Sequence, residues 1–310
     1  MLVVNALAPV FLLIALGAWL QRSGFVSERF LREANRVTYY LGLPALLFSQ
    51  LAKSLHGAGG TLPMFTALLV GTAATIGVAY AVARWQRVPA AAVGTYVQGA
   101  FRGNLAFVGL PIIYGLPDAP VAGGLSARTA VIIVVAPVLV IYNTAGVIVL
   151  LASQHEFGPR MIGPLVKQLV TNPPLIGTVA GIAVALAGWP LPVAIEKSFA
   201  ALGDMALPLG LLGVGGSLVT TNLGAGWRQP LGAALVKTCA GPALGWGAGR
   251  LLGLGAAETK LVMILMATPA ATVSYTVALE LKGDERIASG TIVVSVVASL
   301  VVRAVSVGVF

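Results

Sequence analysis

The chain has 310 residues, of which 58% are apolar and only 9% are charged, against roughly 25% charged residues in an ordinary soluble domain. No water-soluble fold of this length could bury so much apolar surface, so the composition excludes an ordinary soluble protein. Lys and Arg number 19 against 10 for Asp and Glu, and most of the basic residues lie between the apolar segments, which favours a role in membrane topology over nucleic-acid binding.

Ten apolar stretches follow one another along the chain, most of them close to the roughly 20 residues that a helix needs to cross a bilayer. The connections between them are short, and nothing remains for a soluble domain. We therefore predict an all-α polytopic membrane protein with ten transmembrane helices. The predicted spans, numbered in chain order, are 2–21, 30–52, 62–84, 91–116, 129–152, 165–187, 199–219, 231–252, 261–281 and 287–310.

Basic residues are distributed unequally between the connections. Those after the odd-numbered spans carry eleven Lys and Arg residues, and those after the even-numbered spans carry five. By the positive-inside rule, the odd-numbered connections, including the one between spans 5 and 6, are cytoplasmic and both termini lie outside. The expected location is the plasma (cytoplasmic) membrane.

Two spans carry a proline near their middle. Span 4 contains GNLAFVGLP, which ends at Pro111, and span 9 contains ATPAATVS around Pro269. Every peptide group within lipid needs an internal hydrogen-bond partner, so an interrupted helix survives only where protein or a watery cavity satisfies the freed groups. A matched pair of interrupted spans, one in each half of the chain, is typical of the central binding site of a secondary transporter.

The two halves of the chain also show internal similarity. A shift of 164 residues places LPALLF (43–48) on LPLGLL (207–212), although matches of this kind also arise by chance in a chain with 38 glycines and 18 prolines. Five spans in each half require the second copy to enter the membrane from the opposite side. We therefore predict two inverted five-helix repeats, 1–152 and 165–310, joined by the cytoplasmic connection 153–164. Such repeats are associated with alternating access around a site near the bilayer midplane.

Several segments resemble a known family of transporters. They are LGLPALLF (41–48), GNLAFVGLP (103–111), GDMALPLGLLGVGGSL (203–218), KTCAGP (237–242) and ATPAATVSYTVALELKGD (267–284). These segments look like the auxin efflux carrier family, which joins bacterial transporters to the plant PIN-formed auxin carriers, and the resemblance covers nearly the whole chain. Its most specific piece is Asn104 followed seven residues later by Pro111, with Gly109 between them.

The resemblance implies an architecture like that of the bile acid sodium symporters. Spans 1, 2, 6 and 7 would form a scaffold, and spans 3–5 and 8–10 would form a moving core in which broken helices 4 and 9 cross at the substrate site. Relatives also suggest a homodimer through the scaffold helices. The expected function is secondary active transport of a small organic anion, with a carboxylate as its ionic group, by elevator-like alternating access. A sodium-coupled organic anion symporter of the bile acid type is the alternative.

Candidate substrate-binding residues lie on spans 4, 5 and 9. The Asn104 amide either caps a half-helix or donates to an anionic group of the substrate, beside the positively polarised N-termini of the half-helices. Hydroxyls near Pro269 either repair the kinked helix or line the site, and the polar pair on span 5 either bonds neighbouring helices or forms a cavity wall. The predicted set is Asn104, Gly109, Pro111, Tyr142, Asn143, Thr268, Pro269, Thr272 and Ser274.

Arg102 and Lys237 lie within apolar spans, where burial costs roughly 2.5–3.5 kcal/mol on insertion scales. Arg102 either attracts anions toward the cavity or marks the membrane surface. Lys237 either stands in for a bound cation, attracts an anion or extends toward the interface. No Asp or Glu lies at the centre of a predicted span, so a carboxylate proton relay is not expected. Coupling to Na⁺ held by neutral oxygens, substrate charge alone and uniport all stay open, and no other cofactor or metal site is predicted.

Other classes of protein fit the sequence less well. An intramembrane enzyme needs a nucleophile with a base or a metal cluster, and the chain has no HExxH motif and no histidine within a span. A channel needs a continuous polar pore. A sensor built on a transporter scaffold would keep the same cavity, and only substrate accumulation in sealed vesicles separates it from a carrier. The expected partners are a small organic anion and the lipid bilayer, not nucleic acid, and the chain is not expected to be an enzyme.

Overall fold

The computed structural model describes residues 2–54, 58–154, 163, 166–167, 170–171, 173–220 and 226–308. Over these residues every regular element is a helix, and the β-type pairings are limited to two isolated bridges. The predicted all-α class is therefore confirmed for the part of the chain that is described. Most of the predicted connection 153–164 lies outside it.

The helices are numbered here in chain order. They are α1 Leu2–Arg22, α2 Glu28–Val37, α3 Leu43–Ser54, α4 Leu62–Trp85, α5 Ala90–Phe101, α6 Leu110–Gly115, α7 Ala127–Gln154, α8 Pro173–Ala187, α9 Val193–Thr220, α10 Arg228–Leu235, α11 Gly241–Leu251, α12 Ala256–Met266, α13 Val273–Glu280 and α14 Glu285–Gly308. Single π-helical segments join α2 to α3 (Thr38–Gly42), precede α6 (Leu105–Gly109) and join α10 to α11 (Val236–Ala240).

Two helices of the described chain, α4 and the stretch Ala127–Ser153 of α7, are continuous, long and apolar enough to cross a membrane by length and composition alone. Predicted spans 4 and 9 are each divided at a break, and spans 2 and 8 each contain a π-helical segment. The helical pieces of these composite spans are correspondingly short. A total of ten transmembrane helices thus stays a prediction.

Span 2 begins with a polar helix. The Ser27 hydroxyl caps α2 by accepting a hydrogen bond from the Phe30 amide at 3.0 Å, and Arg29 pairs with Glu33 one turn along the exposed face. The apolar part of the span starts only after the π-helical segment, in α3. The predicted boundary at residue 30 therefore falls inside α2, because apolar Phe30 and Leu31 interrupt an otherwise charged helix.

The helices pack in pairs that are distant in sequence. α1 runs along α9, α3 along α8 and α9, α4 along α11, α5 along α7, and α10 along α14. The first of these contacts is very close, since a Cβ on Gly17 would overlap the backbone of Leu212 and one on Gly215 would overlap the backbone of Ile14. Small residues at such crossings let two backbones approach within a membrane.

The largest buried cluster lies among α4, α5, α7 and α12. Leu68, Val97, Val134 and Leu265 represent these helices, and each is at most 1% exposed. The cluster surrounds the ends of α5 and α12, where both helices stop inside the protein. It thereby provides the rigid packing that holds the two helix ends in place.

Candidate substrate site

The helix of span 4 is interrupted at Arg102–Asn104, whereas the sequence pattern centres the break on Pro111. α5 ends at Phe101, and Arg102 has an extended backbone with φ −75° and ψ 97°. Pro111 lies in the first turn of α6, a position where proline is tolerated because the first N–H groups of a helix have no intrahelical partner. The proline therefore starts the second half-helix and does not itself make the break.

The two interrupted helices touch at their breaks. α12 ends at Met266 and α13 begins at Val273, and between them Ala270 forms an antiparallel bridge with Gly103. The Asn104 amide donates to the Pro269 carbonyl at 2.8 Å, and the Ala271 amide donates to the Arg102 carbonyl at 2.9 Å. Each break thus supplies hydrogen-bond partners for the peptide groups that the other has freed.

Side chains complete this repair. The Thr268 hydroxyl donates to the Leu265 carbonyl at 2.7 Å, which favours the helix-repair role for this residue. The Ala270 amide donates to the Ser295 hydroxyl at 2.9 Å. Gly109 packs beside Thr268, since a Cβ on this glycine would lie 3.2 Å from the threonine methyl carbon. The hydroxyls of α12–α13 and α14 therefore hold the shape of the crossing region.

A cavity of about 30 Å³ lies beside the first break, with room for only a few water-sized groups. Five of the predicted residues line it, namely Arg102, Asn104, Tyr142, Asn143 and Thr272. The remaining wall is formed by Tyr39, Leu43, Gly103, Leu105, Ala106, Leu139, Ala271 and Val273. The wall thus combines a few polar groups with a mainly apolar surface, as small-molecule sites do.

Arg102 is the charged residue of this wall. The residue is only 3% exposed. Its Nη2 donates to the Asn143 side-chain oxygen, whereas its Nη1 is buried and has no hydrogen-bond partner among the described residues. The ion pairs found among the described residues both lie on the exposed face of α2, so no described carboxylate neutralises this guanidinium.

Lys237 lies on the other side of the same break. It is 1% exposed and its Nζ donates to the Met266 carbonyl at 2.5 Å, so its side chain does not extend toward the interface. A Cβ on Gly103 would lie 3.2 Å from this Nζ. The two buried cations therefore lie at the same break, and of these two Arg102 belongs to the cavity wall.

Among the described residues of the cavity wall, four predicted ones are missing: Gly109, Thr268, Pro269 and Ser274. Pro269 contributes its carbonyl to the bridge, and Ser274 is 3% exposed with a hydroxyl that bonds to none of the described residues. The side chain of Pro111 lies outside the part of the chain that the structure describes.

Three polar residues outside the predicted set have a part in the site or its surroundings. Tyr39 lines the cavity, Gln98 donates from Nε2 to the Ser274 carbonyl at 3.3 Å, and Ser295 accepts from Ala270. Tyr39 and Gln98 are polar residues within apolar spans, which is a signal that the sequence carried. Ser295 also donates to the Ile292 carbonyl at 2.9 Å, and this local bond is the reason that a serine within a helix gives little indication of function.

A helical apolar chain in which two broken helices meet beside a cavity has the features of a membrane transporter. The chain belongs to the auxin efflux carrier family, because the family model for membrane transport proteins matches residues 2–307. No curated protein matches the chain. The family is one of transporters, so the protein is an integral membrane transporter and not a member of an enzyme family.

Replacement of Tyr142 by phenylalanine is expected to cause a small loss of stability. The Tyr142 hydroxyl lies 3.0 Å from the hydroxyl of Thr72, which itself donates to the Leu68 carbonyl at 2.7 Å, so Tyr142 is the donor. Phenylalanine would remove this one bond between α7 and α4 and keep the edge-to-face contact with Phe101. The expected loss is about 0.6 kcal/mol, measured by reversible unfolding in mixed micelles. Unchanged stability with a large loss of transport would instead assign the hydroxyl to the substrate.

Proposed function

We propose that the protein is a secondary active carrier of a small organic anion that bears a carboxylate. The observation that carries this proposal is the buried guanidinium of Arg102, which lines the cavity. Among the residues that the structure describes, one of its nitrogens has no partner and no carboxylate pairs with it. A buried charge without a counter-charge is strongly unfavourable. A ligand that supplies the missing negative charge would relieve that cost, and this favours an anionic substrate.

The chemistry of the wall suits a carboxylate. A guanidinium presents its N–H groups in a planar fork that matches the two oxygens of a carboxylate, and Asn143 holds one arm of the fork. Asn104 and Thr272 stand in the same wall and can offer further donors to the anion. The apolar residues Leu43, Leu139 and Val273 would face the rest of the substrate. The cavity is too small for a whole organic acid, so binding would require the walls to separate.

The packing suggests which walls move. Tyr39 and Leu43 belong to the segment that packs on α8 and α9, whereas the breaks belong to helices that pack on α4, α7, α11 and α14. Spans 1, 2, 6 and 7 are accordingly proposed as the scaffold, and spans 3–5 and 8–10 as the core of an elevator. In the proposed inverted repeats 1–152 and 165–310, span 1 corresponds to span 6 and span 2 to span 7. The contact of span 1 with span 7 therefore corresponds to the contact of span 2 with span 6, which supports the proposed symmetry. We also propose that the connection between spans 5 and 6 is cytoplasmic, that both termini lie outside, and that the protein forms a homodimer through the scaffold helices.

Uptake by proteoliposomes tests this function. Purified protein would be reconstituted and loaded with unlabelled acid, and the entry of radiolabelled monocarboxylates, dicarboxylates and indole acids would be followed. A carrier gives saturable exchange that is accelerated by substrate on the far side of the membrane. Binding of an acid to the purified protein without any exchange would instead identify a sensor, and unsaturable flow would identify a channel.

Replacement of Asn104 by alanine is expected to reduce this exchange severely while the protein still inserts into the membrane. Asn104 is 4% exposed and lines the cavity, and its backbone amide forms the bond to the Pro269 carbonyl. The variant should therefore keep the contact between the breaks and lose the side-chain amide at the substrate. A matched control is Asn35→Ala on α2, outside the cavity wall. Normal exchange by the Asn104 variant would refute the assigned role.

A further inference from the structure

Two half-helices end with their carboxyl ends inside the protein. α5 ends at Phe101 and α12 ends at Met266, and the last carbonyls of a helix lack intrahelical donors and carry partial negative charge. In secondary transporters, such half-helix C-termini and unwound carbonyls are places where Na⁺ is coordinated. The end of α12 is therefore a position at which a mobile coupling cation is expected.

In this protein a side chain fills that position. The Lys237 ammonium donates to the carbonyl of Met266, the last residue of α12, at 2.5 Å. The lysine is 1% exposed, and its Nζ lies 3.2 Å from the point where a Cβ on Gly103 would stand. It thus lies between the end of α12 and the first break. The nearby Thr268 hydroxyl is already bonded to the Leu265 carbonyl.

The local backbone explains how the lysine reaches this point. Lys237 belongs to the π-helical segment Val236–Ala240, and such an extra residue within a helix changes the direction of the following side chains. An ammonium is a compact charge with three donors on a flexible stem, so it can replace an alkali ion among carbonyl oxygens. The surrounding core leaves the lysine almost no contact with solvent.

We propose that Lys237 is a tethered cation that occupies the place of a mobile coupling ion at the end of α12. The transporter would then need no Na⁺, because the charge that stabilises the crossing region is built into the chain. The part of this proposal that concerns transport rests on the proposed carrier function. The part that concerns the cation position can be tested without any substrate.

The first test measures the unfolding temperature of the purified full-length protein in detergent. Wild type, Lys237→Ala and the matched control Lys197→Ala, an exposed lysine on α9, would be titrated with NaCl, ethylammonium chloride or choline chloride at constant ionic strength. Lys237→Ala is expected to unfold at a lower temperature than wild type, and Na⁺ or ethylammonium, but not choline, should raise that temperature in a saturable way. Wild type and the control should not respond.

Some outcomes would overturn the proposal. One is a Lys237→Ala variant as stable as wild type, and another is a variant that no cation restores. Should this variant fail to fold, Lys237→Ser takes its place, because its hydroxyl can serve as an additional oxygen ligand for Na⁺. Saturable stabilisation of the wild type by Na⁺ would overturn the proposal whichever variant folds, because it would show that a mobile ion still has a site.

The second test follows exchange in proteoliposomes. Replacing Na⁺ by choline should leave exchange by the wild type unchanged, whereas Lys237→Ala should lose about tenfold or more in choline and recover in Na⁺. Wild-type exchange that requires Na⁺ would contradict the tethered cation. If the wild type exchanges no acid at all, the proposed carrier function fails, while the unfolding temperatures still decide the role of Lys237.

Discussion

Replacement of Arg102 by methionine is expected to abolish binding of the anion and to leave the empty protein at least as stable as the wild type. The guanidinium is buried, and no described carboxylate pairs with it. Exchanging a buried charge for an apolar side chain of similar length is often neutral or stabilising. Removing one partner of a buried, hydrogen-bonded charge pair costs roughly 2–5 kcal/mol, which lowers affinity about 25-fold or more.

Anion binding and the stability of the empty protein, measured separately, distinguish a binding role of Arg102 from a structural role. The unfolding temperature of the purified variant would be measured alone and with increasing concentrations of the transported acid. The wild type should be stabilised by the acid, and Arg102→Met should not be. If Arg102 served only to brace α5 against α7, the empty variant would be the less stable protein, and the remaining binding would be close to that of the wild type.

Two further substitutions refine the test. Arg102→Lys keeps the positive charge and loses the planar fork, so it should retain part of the affinity and little of the preference for carboxylates. Asn143→Ala removes the acceptor of Nη2 and keeps the charge, so it should loosen the guanidinium and weaken binding less than Arg102→Met. Equal losses in all three variants would contradict the view that the charge itself recognises the ligand.

The sequence predicted which segments are interrupted, because the chemistry of an interruption is local. A proline, small residues and hydroxyls within an apolar run predict a helix that breaks, and the break within span 9 lies beside Pro269 as expected. The position of the first break was not predictable in this way. It is set by the contact of Gly103 with Ala270, which comes from far along the chain, while Pro111 simply lies in the first turn of α6.

Some residues of the cavity wall were also predicted, because their signal in the sequence is local. Asn104 and Asn143 stand out as amides within apolar runs, where an unpaired polar group is costly. Tyr39 carries a similar but weaker signal, since the apolar ring of a tyrosine is by itself a sufficient reason for its place in an apolar span. Nothing local indicates that Arg102 turns toward Asn143 whereas Lys237 turns toward Met266, because each orientation depends on helices that meet only in the folded protein.

Replacement of Gly103 by alanine is expected to disrupt the contact between the two breaks. A Cβ at this position would overlap the Thr268 hydroxyl and would lie 3.1 Å from Cε of Lys237. Both neighbours are held by hydrogen bonds to the last turn of α12, so neither can move without losing its bond. Overpacking of a well-packed interior typically costs about 1–3 kcal/mol. The loss of anion exchange should exceed what the loss of stability alone would cause. The added Cβ displaces the backbone at residue 103 and with it Arg102 and Asn104, which line the cavity on either side.

The matched control is Gly77→Ala on α4, where a Cβ would meet nothing within 4 Å. That variant should be as stable as the wild type or more so, by up to about 1 kcal/mol, because alanine favours a helix more than glycine does. The double variant Gly103→Ala/Thr268→Ala removes the overlapping hydroxyl and should regain part of the lost stability, a coupling that unfolding of the four proteins would measure. A fully additive result would mean that the two residues do not touch and would contradict the arrangement of the breaks. Because the double variant also loses the bond from Thr268 to Leu265, its recovery is expected to be incomplete.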